Sequence, residues 1–179
     1  MKKILSTIFI GIMALSYAQI VIGDAIGTAT IKTSVLLEFA ANQNKGLILP
    51  YVRTIPATPT EGTLVLDATN ATAARIRYYN GSWIDLSGQD ADLTSALAAQ
   101  PTTAQVTEPA TPGAIIGAAT STADGVLVLE STTKSLVLPI VEDIQNIPSP
   151  SPGMIVYINK AGAKRLAVYN GSKWSFWKQ

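Results

Sequence analysis

The chain repeats itself. One stretch carries SVLLEF, KGLILPYV, TPTEGTLVLD and RIRYYNGSWIDL; a later one carries GVLVLES, KSLVLPIV, SPSPGMIVYI and RLAVYNGSKWSFW. The landmarks keep their order at nearly constant spacing. Pro50 to Pro139 is 89 residues, Asn80 to Asn170 is 90, and Gly62 to Gly153 and Trp83 to Trp174 are each 91. Upstream, Ile22-Gly23 and Ile116-Gly117 stand 94 apart. A duplicated unit has to fold the same way twice, so an element assigned in one copy must also make sense in the other. The repeat also bounds the size of each unit. A core built from so few residues supplies no more than about 3–5 kcal/mol unless it is stapled.

Each copy reads as β-structure. Val35 to Phe39 and Val126 to Leu129 are short apolar runs between polar clusters, as buried strands require. Leu47-Ile48-Leu49 stops at Pro50, and Leu136-Val137-Leu138 stops at Pro139. Proline has no N–H for a ladder, so each strand ends or becomes an edge there. Gly62 and Gly153 precede further runs, Thr63 to Leu66 and Met154 to Ile158. Arg75 to Tyr79 then returns through Asn80-Gly81 to Trp83, and Leu166 to Tyr169 returns through Asn170-Gly171 to Trp174. Asn-Gly between β-prone runs predicts a hairpin, because both residues tolerate positive φ. Glu38 and Glu130 are read as solvated strand ends.

Between the copies, Asp90 to Gln100 has alanine and leucine at helical spacing, with Ser87 or Asp90 as candidate caps. Pro101 to Pro112 is rich in Thr, Pro and Ala and reads as extended linker. The expected fold class is all-β: two tandem small β modules with hairpins, joined by a short helix and this linker. The expected boundaries are a signal peptide at 1–18, a first module at 19–86, a linker at 87–114 and a second module at 115–179.

The signal rests on Lys2 and Lys3, a 12-residue apolar run from Ile4 to Leu15, and Ser16-Tyr17-Ala18 with small residues at −3 and −1. That run is shorter than the roughly 20 residues of a membrane-spanning helix, and no second long apolar run follows. The expectation is export through the inner membrane, to the extracellular space or the outer surface, with the periplasm as the alternative. Removing the two lysines leaves a net charge of −1, which offers no basic footprint for nucleic acid.

Composition narrows the chemistry. The 179 residues include no cysteine and no histidine. This excludes disulfides, thiolate or imidazole metal sites, and any nucleophile that relies on a histidine base. No phosphate-binding glycine loop is present. No cofactor is expected, and the Asp85, Asp90 and Asp92 group lacks the glycine and glutamate of a calcium loop. Two exported modules without cross-links have to pack on each other, or on another subunit.

Aromatic residues gather at the hairpins. A Tyr/Trp group beside Asn suits stacking on a sugar or filling a protein hot spot. The candidate contact residues are Tyr78, Tyr79, Asn80, Tyr169, Asn170 and Trp177. Strand neighbours point to opposite faces, so one of Tyr78 and Tyr79 is expected to face outward. Trp83 and Trp174 are expected to close their hairpins through cross-strand aromatic pairs.

The order AIGTATI, KGLILPYV, TPTEGTLVLD, YYNGSW resembles secreted and surface proteins of Bacteroidota that carry KGLLLP…YYNGxxW repeats, often beside phage tail-fibre-like modules. Tyr51 and Ile140 stand where that motif commonly has arginine. The resemblance implies a β-rich, surface-associated, trimeric, fibre-like module, and it carries over no catalytic residue. The expected role is therefore an exported structural or adhesive subunit, not an enzyme. It would act as a homo-oligomer or by docking to other surface proteins. A carbohydrate-binding module that takes a glycan is the alternative, and a carboxylate-dependent hydrolase the third.

Overall fold

The computed structural model describes residues 19–102, 104–106 and 113–177. The predicted signal at 1–18 and most of the Thr/Pro/Ala-rich stretch lie outside the described residues. The first copy contributes β1 (Ile20–Ile22), β2 (Val35–Phe39), β3 (Leu47–Ile48), β4 (Tyr51–Val52), β5 (Leu64–Asp67), β6 (Arg75–Tyr79) and β7 (Trp83–Asp85). One short helix, α1 (Thr94–Ala98), follows. The second copy contributes β8 (Ala114–Ile116), β9 (Leu127–Leu129), β10 (Ser135–Leu136), β11 (Ile140–Val141), β12 (Met154–Ile158), β13 (Arg165–Tyr169) and β14 (Trp174–Trp177), with a 3-10 turn at Ile144–Asn146. The described fold is all-β apart from these turns of helix, as the periodicity predicts.

The repeat in sequence is a repeat in topology. β4-β5-β6-β7 and β11-β12-β13-β14 have the same order, a parallel first pair followed by two antiparallel pairs. The registers match: Tyr51 faces Leu66 as Ile140 faces Tyr157, and Tyr79 faces Trp83 as Tyr169 faces Trp174. Upstream, β1 pairs parallel with β2 and β8 pairs parallel with β9.

The two copies also exchange strands. β3 of the first copy lies antiparallel on β12 of the second, and β10 of the second lies parallel on β2 of the first. β2 is thus flanked on both edges, and Val35, Leu36, Leu37 and Glu38 are all buried. A strand covered on both faces reads as a continuous apolar run rather than an alternating one.

The prolines make the exchange feasible. The strand does end at Pro50, but a new one starts at Tyr51 with a different partner. The Pro50 carbonyl accepts from Leu66 N–H at 2.9 Å, and Pro139 accepts from Tyr157 N–H at 2.9 Å. A residue without an N–H can leave one ladder and enter the next with no donor stranded between them. One core runs through both copies: Leu49, Leu66, Ala74, Ile76, Leu93 and Leu97 pack with Ile155 and Val168. A second cluster, Val141, Ile147, Met154, Val156, Ile158 and Ala167, lies within the second copy.

Three local expectations are corrected. The hairpin turns do not place positive φ on asparagine. Gly81 and Gly171 take it, at 71° and 114°, whereas Asn80 and Asn170 do not. Instead, Asn170 Oδ1 accepts from the N–H groups of Ser172 and Lys173, both at 3.0 Å. The asparagine therefore acts through its side chain, as an Asx turn. The helix spans only five residues, and neither Ser87 nor Asp90 caps it. Asp92 Oδ1 accepts from Thr94 N–H and Oγ, while Leu93 and Leu97 anchor the segment in the shared core. Finally, Glu38 is not a solvated strand end: it is fully buried.

Candidate interaction surface

The residues singled out from sequence fall in two sets, all at the hairpin tips except Trp177, which lies opposite Leu166 at the far end of its ladder. Tyr78, Tyr79 and Asn80 sit at the β6–β7 turn; Tyr169, Asn170 and Trp177 sit on β13, its turn and β14. Tyr79 packs edge-on against Trp83 with ring centroids 5.3 Å apart, and Tyr169 packs tilted against Trp174 at 5.2 Å. Such pairs add roughly 0.5–1.5 kcal/mol to the area they bury, so each closes its hairpin as the sequence indicated. Tyr78 and Tyr79 are both half-buried; neither points fully into solvent. Tyr78 lies across the ladder from Leu64 and Ile84.

Equivalent residues of the two copies have different surroundings. Asn80 is exposed. Asn170 is 0 % exposed, and its Nδ2 donates to the carbonyl of Gln89 at 2.7 Å. Trp177 is 47 % exposed, yet its indole N–H donates to the Leu86 carbonyl at 2.7 Å. Gln89 Nε2 donates to Ser175 Oγ at 3.1 Å. The strap at Leu86–Gln89 thus holds β14 and the second hairpin turn against the first copy. Tyr51 adds another tie: its hydroxyl donates to the Pro152 carbonyl at 2.7 Å, and burial pushes the phenol above its ordinary range. Neither Gln89 nor Tyr51 stood out as a contact from sequence. The one available sign was that Tyr51 departs from the arginine usual in the motif.

Several charged side chains pair within the chain. Arg75 bridges Asp85 and Asp90, the latter at 2.8 Å. Burial alone would raise the Asp85 carboxyl, but Arg75, the Ser87 hydroxyl and the backbone N–H groups of Ser87 and Gly88 bring it below the usual range. Asp143 pairs with Lys160 at 2.7 Å, and the Arg165 guanidinium lies 4.5 Å from the centre of the Phe176 ring. Glu38 accepts from Gln19, from Lys32 and from Ala29 N–H at 2.9 Å. Burial alone would raise its carboxyl too, but Lys32 and the backbone N–H groups of Ala29 and Thr28 bring it below the ordinary value. Glu130, at the end of β9, accepts from Ser121 Oγ.

A cleft of about 410 Å³ beside the helix is open and lined by Arg53, Thr94, Leu97, Gln100, Thr102 and Gln105 among others. Its single charged group, Arg53, already donates to Leu97 O at 2.5 Å and Gln100 Oε1 at 3.0 Å. Among the described residues no group of three or more carboxylates gathers as a metal site, and no described helix is long and apolar enough to cross a membrane. Apolar side chains also remain on the surface. Ile20, Ile22, Ile26, Ile31, Val126, Leu127 and Phe176 are all exposed. A repeated sheet with apolar surface and unpaired strand edges is suited to contact with another protein chain.

The family described as the phage tail like trimerisation region matches residues 25–106 and 115–178. The chain belongs to this family. The two matched stretches of the trimerisation region fall one on each copy of the repeat and together cover most of the chain. This supports the phage tail-fibre-like part of the sequence resemblance and a homo-oligomeric, structural character. No curated protein and no solved structure matches the chain.

Proposed function

We propose that this chain is an exported, fibre-like structural subunit. It associates with copies of itself as a trimer and docks, through that assembly, to the cell surface or to other surface proteins. The match of both copies to a phage tail like trimerisation region carries the reading. The apolar side chains left exposed on β1, β9 and β14 supply the material for burial between subunits. The role is mechanical and adhesive rather than catalytic. Localisation follows from the Lys2-Lys3, Ile4–Leu15 and Ser16-Tyr17-Ala18 pattern, and a bacterial surface assembly of the Bacteroidota kind is the setting that the repeat motifs resemble.

Size-exclusion chromatography with light scattering tests the assembly: the expected mass is three chains, and a monomer at every concentration would sink the proposal. N-terminal sequencing of the exported protein is expected to begin at Gln19. Protease shaving of intact cells is expected to remove the protein, and full protection would place it in the periplasm instead.

A further inference from the structure

The two copies share one pattern of pairing, but each uses only half of it. In the first copy, the segment before Pro50 lies on the second copy's leading β12 edge. Leu49 N–H donates to Gly153 O at 3.0 Å, with Leu47 opposite Ile155 and Ile48 opposite Met154. In the second copy, the segment before Pro139 lies on the other kind of edge. Val137 N–H donates to Leu37 O at 2.8 Å, on β2. Val137 is the repeat equivalent of Ile48.

Successive N–H groups of a strand point to opposite sides. The Ile48 N–H therefore points away from β12, toward an edge where the described residues place no strand. By the same alternation the Leu138 N–H points away from β2, toward an edge where the described residues again place no strand.

The surfaces that would receive these two segments are bare. Gly62 and Gly153 are equivalent and have similar φ, 88° and 78°. A Cβ on Gly153 would meet Leu49 O, Leu66 and Tyr51, each at 3.3 Å, whereas one on Gly62 would meet nothing within 4 Å. Ile155 is buried under β3, but its equivalent Leu64 stays half-open. Asn170 and Asn80 differ in the same way. On the other edge, β2 is flanked by both β1 and β10, whereas among the described residues β9 pairs only with β8, and Leu127 is exposed.

We infer that the second copy of one subunit docks head-to-tail on the first copy of the next, reproducing between chains the interface that joins the copies within a chain. Deepening the trimer reading and resting on it, the inference assigns the surface. Leu136–Leu138 of one subunit lies on Thr63-Leu64 of its neighbour, and the neighbour's Gly46–Ile48 lies on Leu127 of the first. One contact fills both vacant edges. Such a heterologous interface forms a ring when its rotation closes; three subunits then close as six modules.

The chain has no cysteine, so engineered pairs report cleanly. Ile48 and Met154 are a directly opposed, non-hydrogen-bonded pair, whose Cα separation of about 4.5 Å suits a disulfide. The equivalent pair between subunits is Val137 and Thr63. Co-expressed Thr63→Cys and Val137→Cys chains are expected to give a covalent dimer on oxidation, while each variant alone gives none. The double variant is expected to give a covalent trimer. The Ile48→Cys/Met154→Cys chain, which bridges within one subunit at the equivalent pair, is the folding control. Self-linking by either single variant would overturn the head-to-tail arrangement. A trimer by light scattering with no mixed cross-link would overturn this surface and leave the trimer standing. A monomer throughout would overturn the trimer reading itself.

Discussion

Replacing Glu38 with glutamine removes one charge and almost no volume. The carboxylate is fully buried on β2, where Lys32, Gln19 and the Ala29 N–H meet it. A hydrogen bond to a charged group contributes about 1.5–3 kcal/mol. The Lys32 side chain is 39 % exposed, so solvent screens part of the ion pair and the lower end of that range applies to it. The amide keeps one acceptor oxygen but presents N–H groups where donors converge. Together these give an expected loss of about 2–3 kcal/mol at pH 7. Urea unfolding followed by far-UV circular dichroism at fixed protein concentration should show it as a midpoint lowered by about 1–2 M, with slope unchanged. The pH dependence is the sharper test. The Glu38 carboxyl lies below its ordinary value in the folded state. Its contribution is therefore complete above the unfolded pKa of about 4.3 and disappears as pH falls through the folded value. Wild type and Glu38→Gln should differ by a constant amount above pH 5 and converge in acid. Equal stability at pH 7, or a difference that grows as pH falls, would refute the account of Glu38 as a buried, charge-paired anchor.

Other substitutions probe the inequality of the two copies and the shared core. Asn170→Ala should cost about 1–3 kcal/mol by stranding the Ser172 and Lys173 N–H groups and the Gln89 carbonyl; Asn80→Ala in an isolated subunit should stay within about 0.5 kcal/mol. Gly171→Ala should destabilise more than Gly81→Ala, because its Cβ would stand 2.7 Å from Leu93 Cδ2 while that of Gly81 meets open space; thermal melts rank the two. Leu66→Ala should cost about 2–5 kcal/mol and loosen both copies together, since Leu66 shares a core with Ile155 and Val168; hydrogen exchange accelerated in one copy only would contradict this. Arg75→Met should raise the Asp85 carboxyl, leaving burial to act with its main cation gone, as a carboxyl NMR titration would show.

Much of the fold was legible in the residues because its signals are local. The breaks at Pro50 and Pro139, the positive-φ glycines before β5 and β12, and the Asn-Gly hairpins all depend on what a backbone can do within a few residues. The detail of the turns was less legible: Asn-Gly admits more than one turn, and the Asx bonds of Asn170 came only with the coordinates. The helix was overestimated because its alanines and leucines read as helical spacing, while Leu93 and Leu97 are held by the core.

Of the candidate contacts, sequence could name Asn80 and Asn170 only as equals, since their local motifs are the same. What distinguishes them is which surface lies opposite: Gln89 closes over Asn170, while Asn80 is exposed. The sequence by itself determined the strands, their order within each copy and the duplication, because alternation, proline and glycine act along the chain. Only the tertiary structure decided that the copies trade β3 and β10, that Glu38 is buried, and that one copy is covered where the other is open. Glu38 takes its partners from the nearby Gln19, Ala29 and Lys32 once the chain folds back over β2. The strand exchange and the unequal cover depend instead on partners more than eighty residues away, whose choice is set by which strand edges are free.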